Sequence, residues 1–407
     1  MNLRKFMAAA LAAVFFMTAA GCSKSDGAPG ESTSATESVS EPEQQPADEF
    51  DQDITAMELT ADIKVGWNLG NTLDATGSTG VSQETSWGNP STTPELMQGV
   101  KDAGFNAVRI PTTWERQMDE NNVINAEWLA RVKEIVDYAY DLDMYVILNM
   151  HHEEWYQPYA DKEEEITAKL QTCWTQIAEA FKGYDQHLIF EGMNEPRWKN
   201  TEFEWNGGND EGRTVVNHLN KAFVEAVRAT GGNNQYRFLM VCPYAANSGE
   251  SALAALELPD DDRLIVSVHA YIPYSFALQN PGSDKWVASK ANCTNEIDTL
   301  AEVLNRLFIS KGQAVIIGEC GAMNRQNENY RAAWAEYYFS TFKNIGIPCF
   351  WWDNGSFMSG ETFGLFDRYS NVPRYNLLVQ GIMNGVNGVT GVDYDALAEE
   401  SAASTAA

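Results

Sequence analysis

A chain of 407 residues that is 44% hydrophobic and 11% aromatic can bury one large core or two ordinary ones. Its formal net charge of −29 sets it against nucleic acid and acidic polymers, which it would repel. A neutral partner suits it better, and twelve Trp offer flat apolar faces for one, though many of these belong to a core.

The N-terminus reads as an export signal over residues 1–21. Arg4 and Lys5 precede an apolar stretch from Phe6 to Ala20 that is too short and too Ala-rich for a spanning helix. It closes on Thr18-Ala19-Ala20-Gly21-Cys22, which resembles a bacterial lipobox with Ala19 where Leu is commoner. Lipidation of Cys22 would tie the mature chain to the membrane outside the cytoplasm, at the cell surface. Plain cleavage near the same Ala residues, giving a secreted protein, is the alternative. Residues 22–53 then carry nine acids against Lys24 and hardly an apolar side chain. Such a segment cannot bury enough surface to offset its ordering entropy, so a disordered tether is expected. Residues 54–387 form the folded domain, and 388–407 turn small and polar again and should fray.

Eight short apolar runs follow in order within the folded domain: Val65–Trp67, Ala107–Ile110, Tyr145–Leu148, Leu188–Phe190, Phe238–Val241, Leu264–Val268, Ala314–Ile317 and Pro348–Trp351. Amphipathic stretches separate them, among them Trp128–Leu142, Glu163–Phe181, Thr214–Thr230 and Tyr330–Ile345. Between the fifth and sixth runs only Ser251–Leu256 offers a helix, of one or two turns. The pattern fits an α/β fold, a (β/α)8 TIM barrel with enlarged loops at its C-terminal face. A doubly wound open sheet also alternates, but no Gly-rich phosphate loop follows the first run. Of the cysteines beyond Cys22, Cys242, Cys320 and Cys349 lie in strand-like runs and read as buried thiols. A Cys173–Cys293 bridge is left open, and no CxxC spacing suggests zinc.

In such a barrel, chemistry gathers at the C-terminal ends of the strands. Reading each run to its end gives Arg109, then His151 and His152, Asn194 and Glu195, His269 and Tyr271, Glu319, and Trp352. Any one of these has a structural explanation, such as an internal ion pair or a loop cap. Six strands of one ring ending this way indicate a site. Glu195 and Glu319 end the fourth and seventh strands and would face each other across the mouth. Alternation of Val315, Ile317 and Glu319 is taken to put them on one face. Glu191, lower in the fourth strand, reads as a buried structural acid. Two facing Glu suffice for glycoside hydrolysis, one giving a proton and the other attacking or activating water.

Metal chemistry is the rival reading, from His151-His152-Glu153-Glu154. Neighbours on an extended strand point to opposite faces, so only one of the two His should reach the site. No HxxxH spacing supports a ligand set, and neither a metal nor any other cofactor is expected. There is no GxSxG elbow and no Walker loop.

The segments KVGWNLGNTLDA, NAVRIPTTW, VILNMHHE, LIFEGMNEPR, VSVHAY, VIIGECGA and FWWDNG resemble those of glycoside hydrolase family 5, nearest its fourth subfamily of β-1,4-glucan-cleaving enzymes. The likeness runs from about Lys64 to Gly385. It implies a retaining endo-β-1,4-glucanase acting on cellulose-like, mixed-linkage or xyloglucan chains, with Glu195 as general acid/base and Glu319 as nucleophile. Arg109 and Tyr271 would contact Glu319 and favour its charged form. His269 would support Glu195, Asn194 would bind the sugar 2-hydroxyl, and His151, with His152 less firmly placed, would hold the sugar at the cleavage subsite. Trp352 would be that subsite's floor. Trp67, Trp155, Trp198 and Trp205 are candidate platforms for further glucose units, each equally readable as a packing residue. Asn71 and Asn354 sit on mouth loops where they could bind hydroxyls, and the loop from Asp74 to Asn89 would wall an open cleft. Two alternatives stand beside this reading: a β-mannanase on the same machinery, and a surface lipoprotein that binds glucan without cutting it. The expected partner is a β-glucan, met by a monomer.

Overall fold

The computed structural model describes residues 49–405. Eight parallel strands close into one barrel: β1 Gly66–Leu69, β2 Ala107–Ile110, β3 Tyr145–Asn149, β4 Leu188–Glu191, β5 Leu239–Val241, β6 Leu264–His269, β7 Ala314–Cys320 and β8 Cys349–Asp353. The ring shuts where β1 pairs with β8, Asn68 opposite Trp352. The runs are mostly apolar because both faces are covered, with polar residues gathered toward their C-terminal ends. Ala107, Ile147, Ile189, Ile265, Ile316 and Phe350 fill the interior. Val108, Val146, Leu148, Phe190, Val266 and Val315 pack outward against the helices.

A helix follows every strand, in order Pro94–Asp102, Ala126–Tyr140, Glu163–Ala180, Asp210–Ala229, Glu250–Ala254, Ala291–Leu307, Glu328–Lys343 and Asn376–Val386. Side-chain oxygens of Thr93, Asn125 and Asn209 cap three of their N-termini. The fifth is the shortest, five residues, as the weak amphipathic signal there implied. The five cysteines from Cys173 onward are free and buried, so Cys173 and Cys293 do not pair.

Both ends of the domain differ from expectation. The polar N-terminal segment joins the fold before residue 54: Phe50 is buried against Tyr236 and Phe238 at the barrel floor. Arg263 donates to the carbonyls of Gln52 and Ile54. One aromatic in an acidic stretch, together with these backbone hydrogen bonds, anchors it. At the other end, residues beyond 388 do not simply fray, for a helix spans Tyr394–Thr405. Tyr394 is buried, its hydroxyl donating to Glu336 Oε2 at 2.7 Å and accepting from Asn384 Nδ2 at 2.9 Å. The proposed signal, Cys22 and most of the proposed tether lie outside the described residues.

Candidate active site

Arg109 is the centre of the barrel mouth. Fully buried at the end of β2, its guanidinium donates to four acceptors: Glu191 Oε2 from Nε at 2.7 Å, Glu319 Oε1 and Asn68 Oδ1 from Nη1 at 2.7 and 3.0 Å, and Asn194 Oδ1 from Nη2 at 2.8 Å. Burial works against this cation, but Glu191 and Glu319 outweigh it and raise its pKa. Glu191 is the buried structural acid expected of it, taking further bonds from Asn149 Nδ2 (3.0 Å) and Ser267 Oγ (2.5 Å). A planar fork with fixed donors suits this role, which a Lys point charge does not.

Glu319 is held from a second side by Tyr271, whose Oη donates to Oε2 at 2.8 Å. The alternation expected along β7 is not what turns Glu319 inward. Val315 and Ile317 pack against the helices, while Ile316 faces the interior. Pairing runs Val268 with Ile317 and then His269 with Glu319, leaving Gly318 as an extra residue. That irregularity re-aims the strand end and brings Glu319 into the mouth.

Glu195 lies past the end of β4. Its Oε1 accepts from His269 Nδ1 at 2.9 Å, and the same nitrogen lies 3.6 Å from Glu319 Oε2. Burial disfavours charge on Glu195, yet the His269 hydrogen bond and charge, with Arg197 behind them, hold its carboxyl below the usual range. Burial likewise opposes the His269 cation, but Glu319 and Glu195 prevail and raise its pKa. An oxygen of Glu195 comes within 4.8 Å of an oxygen of Glu319. Two carboxyl groups this close leave no room for a water between the sugar and the second acid, the geometry of retention.

The family model for cellulase, glycosyl hydrolase family 5, matches residues 70–358. Endoglucanase A of Clostridium longisporum is 48% identical over 325 residues, covering 77% of this chain and 62% of that protein. A GH5-4 broad specificity endoglucanase from Ruminococcus champanellensis, solved with bound cellotriose, superposes with a TM-score of 0.79 at 43% identity, covering 81% of this chain and 99% of that one. A xyloglucan-specific GH5 endo-β-1,4-glucanase from a metagenomic library, in complex with cellotriose, gives 0.79 at 42% identity over 82% and 98% of the two chains. The chain belongs to glycoside hydrolase family 5.

This family 5 mouth gathers more residues than strand parity foretold. β3 ends at Asn149, so the pleat does not separate His151 from His152. Their rings meet at 4.4 Å, and both border the cleft. His151 is buried and lies parallel to Trp352 at 5.7 Å. Asn149 is oriented by the Thr112 amide on its Oδ1 (3.0 Å), so its Nδ2 donates to His151 Nδ1 at 3.0 Å. The His151 proton is thereby assigned to Nε2. Burial, with His152 and Arg109 nearby, keeps the ring neutral by pushing its pKa well down. Trp352 finds its place because Gly70 has no side chain; a Cβ there would stand 2.8 Å from the indole.

The loop Trp residues divide. Trp67 is 0% exposed, bonded through Nε1 to Asp353 Oδ2 at 2.9 Å, and has no face to offer. Trp198 is also a packing residue, stacked on Tyr159 at 4.6 Å and bonded to the Pro158 carbonyl. Trp155 is half-buried beneath Lys169 and bonded to Glu153. Trp205 remains open, 56% exposed. Asn354 is corrected too: its Nδ2 donates to the Glu361 carbonyl (2.6 Å) and its Oδ1 accepts from Ser356 (3.0 Å), so its side chain builds a turn. Asn71 is half-buried with a left-handed φ of 55°, its carbonyl bonded to Asn89. Glu153, the third member of the His-His-Glu run, is buried under the Trp114 amide and the Trp155 indole.

Four residues at the mouth escaped sequence reasoning. Asn68 supports Arg109, and its position at the end of β1 was a usable signal. Trp87, 43% exposed, stands 5.6 Å from His152. Asp74 is buried with Oδ2 lacking a hydrogen-bond partner and 3.7 Å from His152 Nε2. Arg197, inside the quoted NEPR segment, touches Glu195 itself.

Proposed function

We propose that this chain cleaves internal β-1,4 bonds of β-glucans with retention of configuration, Glu319 acting as nucleophile and Glu195 as general acid and then base. The supporting observation is the close pair of carboxylates, within 4.8 Å, each held by a different set of donors. In the first step Glu319 attacks the anomeric carbon, the glycosidic C–O bond breaks, and Glu195, reacting from the protonated form that His269 and Arg197 make the minor one, gives its proton to the departing oxygen. In the second, water gives a proton to Glu195 and displaces Glu319 from the sugar. Asn194 Oδ1 is occupied by Arg109, which leaves its amide NH2 for the sugar 2-hydroxyl. His151 Nε2–H donates to a hydroxyl of the same sugar, and Trp352 underlies it.

β-Glucans are favoured as substrates by the cellotriose-bound neighbours, one of them xyloglucan-specific. The open Trp205 and Trp87 suit a long chain crossing the mouth. Both carboxylates are present, so nothing favours a binding-only protein. Lipidation at Cys22, with the catalytic domain working outside the cytoplasm as a monomer, completes the reading; Cys22→Ala should release the protein from membrane fractions or leave it unprocessed, and equal partitioning of both forms would count against the anchor.

An aryl β-cellobioside with an acidic phenol tests the roles. It needs no protonation, so Glu195→Ala should release phenol in a burst and accumulate glycosyl-enzyme. Azide, which needs no base, should restore turnover and yield a β-glycosyl azide. Glu319→Ala should do neither. The opposite pattern would exchange the roles, and an inverted product from the native enzyme would overturn double displacement.

A further inference from the structure

Arg197 follows Glu195 by two residues in the loop after β4. Its Nη1 donates to the Glu195 carbonyl at 2.9 Å and lies 3.3 Å from Glu195 Oε2. Its Nε reaches Glu204 Oε1 at 3.3 Å, and its guanidinium carbon sits 4.0 Å from the centre of the Trp205 ring. The loop carrying Glu204 and Trp205 is itself tied down. Glu204 Oε2 accepts from the Asn200 amide (2.8 Å), and Asn247 donates to the Trp205 carbonyl (3.1 Å). Asn247 in turn bridges to His269 at the end of β6. The guanidinium is thus fixed by an aromatic face and two carboxylates, an expensive arrangement for a side chain that serves only to tether a loop.

Because His269 occupies Oε1, the oxygen left to serve a departing glycosidic oxygen is Oε2, the one beside Arg197. We propose that Arg197 is a positioning residue for the general acid: it aims Glu195 through carbonyl and carboxylate together, and its charge, tempered by Glu204, sets how readily Oε2 releases its proton. This rests on Glu195 being the acid/base.

Other charged and titratable groups also face Glu195: His269 from β6, Tyr271 beyond it, Glu319 from β7, His152 beyond β3, and Glu361 from the loop after β8. Buried Tyr156 and Cys242 are pushed far above their usual ranges and stay neutral. The charge facing His269 changes during catalysis, because Glu319 loses its own when it becomes an ester. Arg197 touches no reacting atom other than Glu195 and keeps its charge throughout. It is therefore the constant influence on the acid, where His269 is the varying one.

The basic limb of kcat/KM against pH reports the acid in free enzyme. A cation at this distance lowers a carboxyl pKa, so its removal must move that limb upward. Arg197→Met should displace the limb on a soluble β-glucan by about one pH unit toward higher pH. Arg197→Lys, which keeps the charge, should return it most of the way. Glu204→Gln, which leaves Arg197 less neutralised, should move it in the opposite direction, a response that a loop tether does not produce. Circular dichroism of each variant establishes folding, and Glu204→Gln decides the matter if Arg197→Met does not fold. A basic limb unmoved in the folded variants, with Glu195→Ala inactive on the glucan, would overturn the role of Arg197 alone. Full glucan activity in Glu195→Ala would instead remove the acid/base assignment on which it stands.

Discussion

His269 lies opposite Glu319 across the β6–β7 ladder, one residue out of step with the Val268–Ile317 pair below. The extra residue is Gly318, where an added Cβ would stand 3.3 Å from Ser267 Oγ and 3.4 Å from His269 Nε2. The irregularity that aims Glu319 therefore leaves room for little more than a Cβ at this position. Gly318→Val should cost about 1–3 kcal/mol of stability by overpacking. Activity should fall further than stability, by about a hundredfold, because His269 and Glu319 are displaced together. Urea midpoints and kcat/KM measured on one preparation check this; a variant with full activity would show that the mouth tolerates the bulk.

Arg109 binds four acceptors at once. Arg109→Lys cannot reach them all and leaves buried Glu191 or Glu319 short of its counter-charge. Breaking a buried pair in this way costs about 3–5 kcal/mol. Denaturant unfolding should register a loss of that size, along with near-complete loss of turnover. A loss below about 1 kcal/mol, the scale of an exposed ion pair, would mean the mouth is far wetter than its burial implies.

Burial raises the Asp74 carboxyl to about 6 from 3.8, against the opposing hydrogen bonds of the Thr72 and Asn71 amides. The folded state then holds this proton more tightly than the unfolded chain. Stability from this group is full below about pH 4 and declines as pH rises to about 6, by about 3 kcal/mol in all. Asp74→Asn has no such proton to lose. Its stability relative to the native protein should improve between pH 4 and pH 7, measured by denaturant melts at both. An unchanged difference would show that the fold holds the Asp74 proton no more tightly than the unfolded chain does.

Asp74, His151 and His152 place one ligand-type atom each within 4.8 Å of one another. His151 Nδ1 is engaged by Asn149, which assigns the proton to Nε2, the nitrogen a metal would otherwise use. Exhaustive chelation should therefore leave glucan hydrolysis unchanged. Activity lost to the chelator and restored by zinc would reassign this cluster as a ligand set.

The barrel and its principal acids were legible in the sequence because both depend on local pattern. Short apolar runs such as Tyr145–Leu148 and Leu264–Val268 read as strands covered on both faces, and the helical stretches between them leave few other topologies. Polar residues at the ends of six such runs, Arg109 and His269 among them, point together to a site where any one alone would not. Motif likeness then added the roles, which spacing alone leaves open.

What tertiary structure decided are matters that pleat parity and composition do not contain. Strand parity put Glu319 in the mouth for the wrong reason, since Val315 and Ile317 face the helices and one extra residue at Gly318 turns Glu319 inward, and it misjudged His152 because β3 ends two residues before His151. Composition could not tell the sealed Trp67 from the open Trp205, since burial depends on what the rest of the chain lays over each ring. Nor could it see that Phe50 and Tyr394 would each find a pocket and draw a polar terminus into the fold. A strand's existence is determined largely by its own few residues. Which way its last side chain points, and what stands opposite, is determined by neighbours hundreds of residues away.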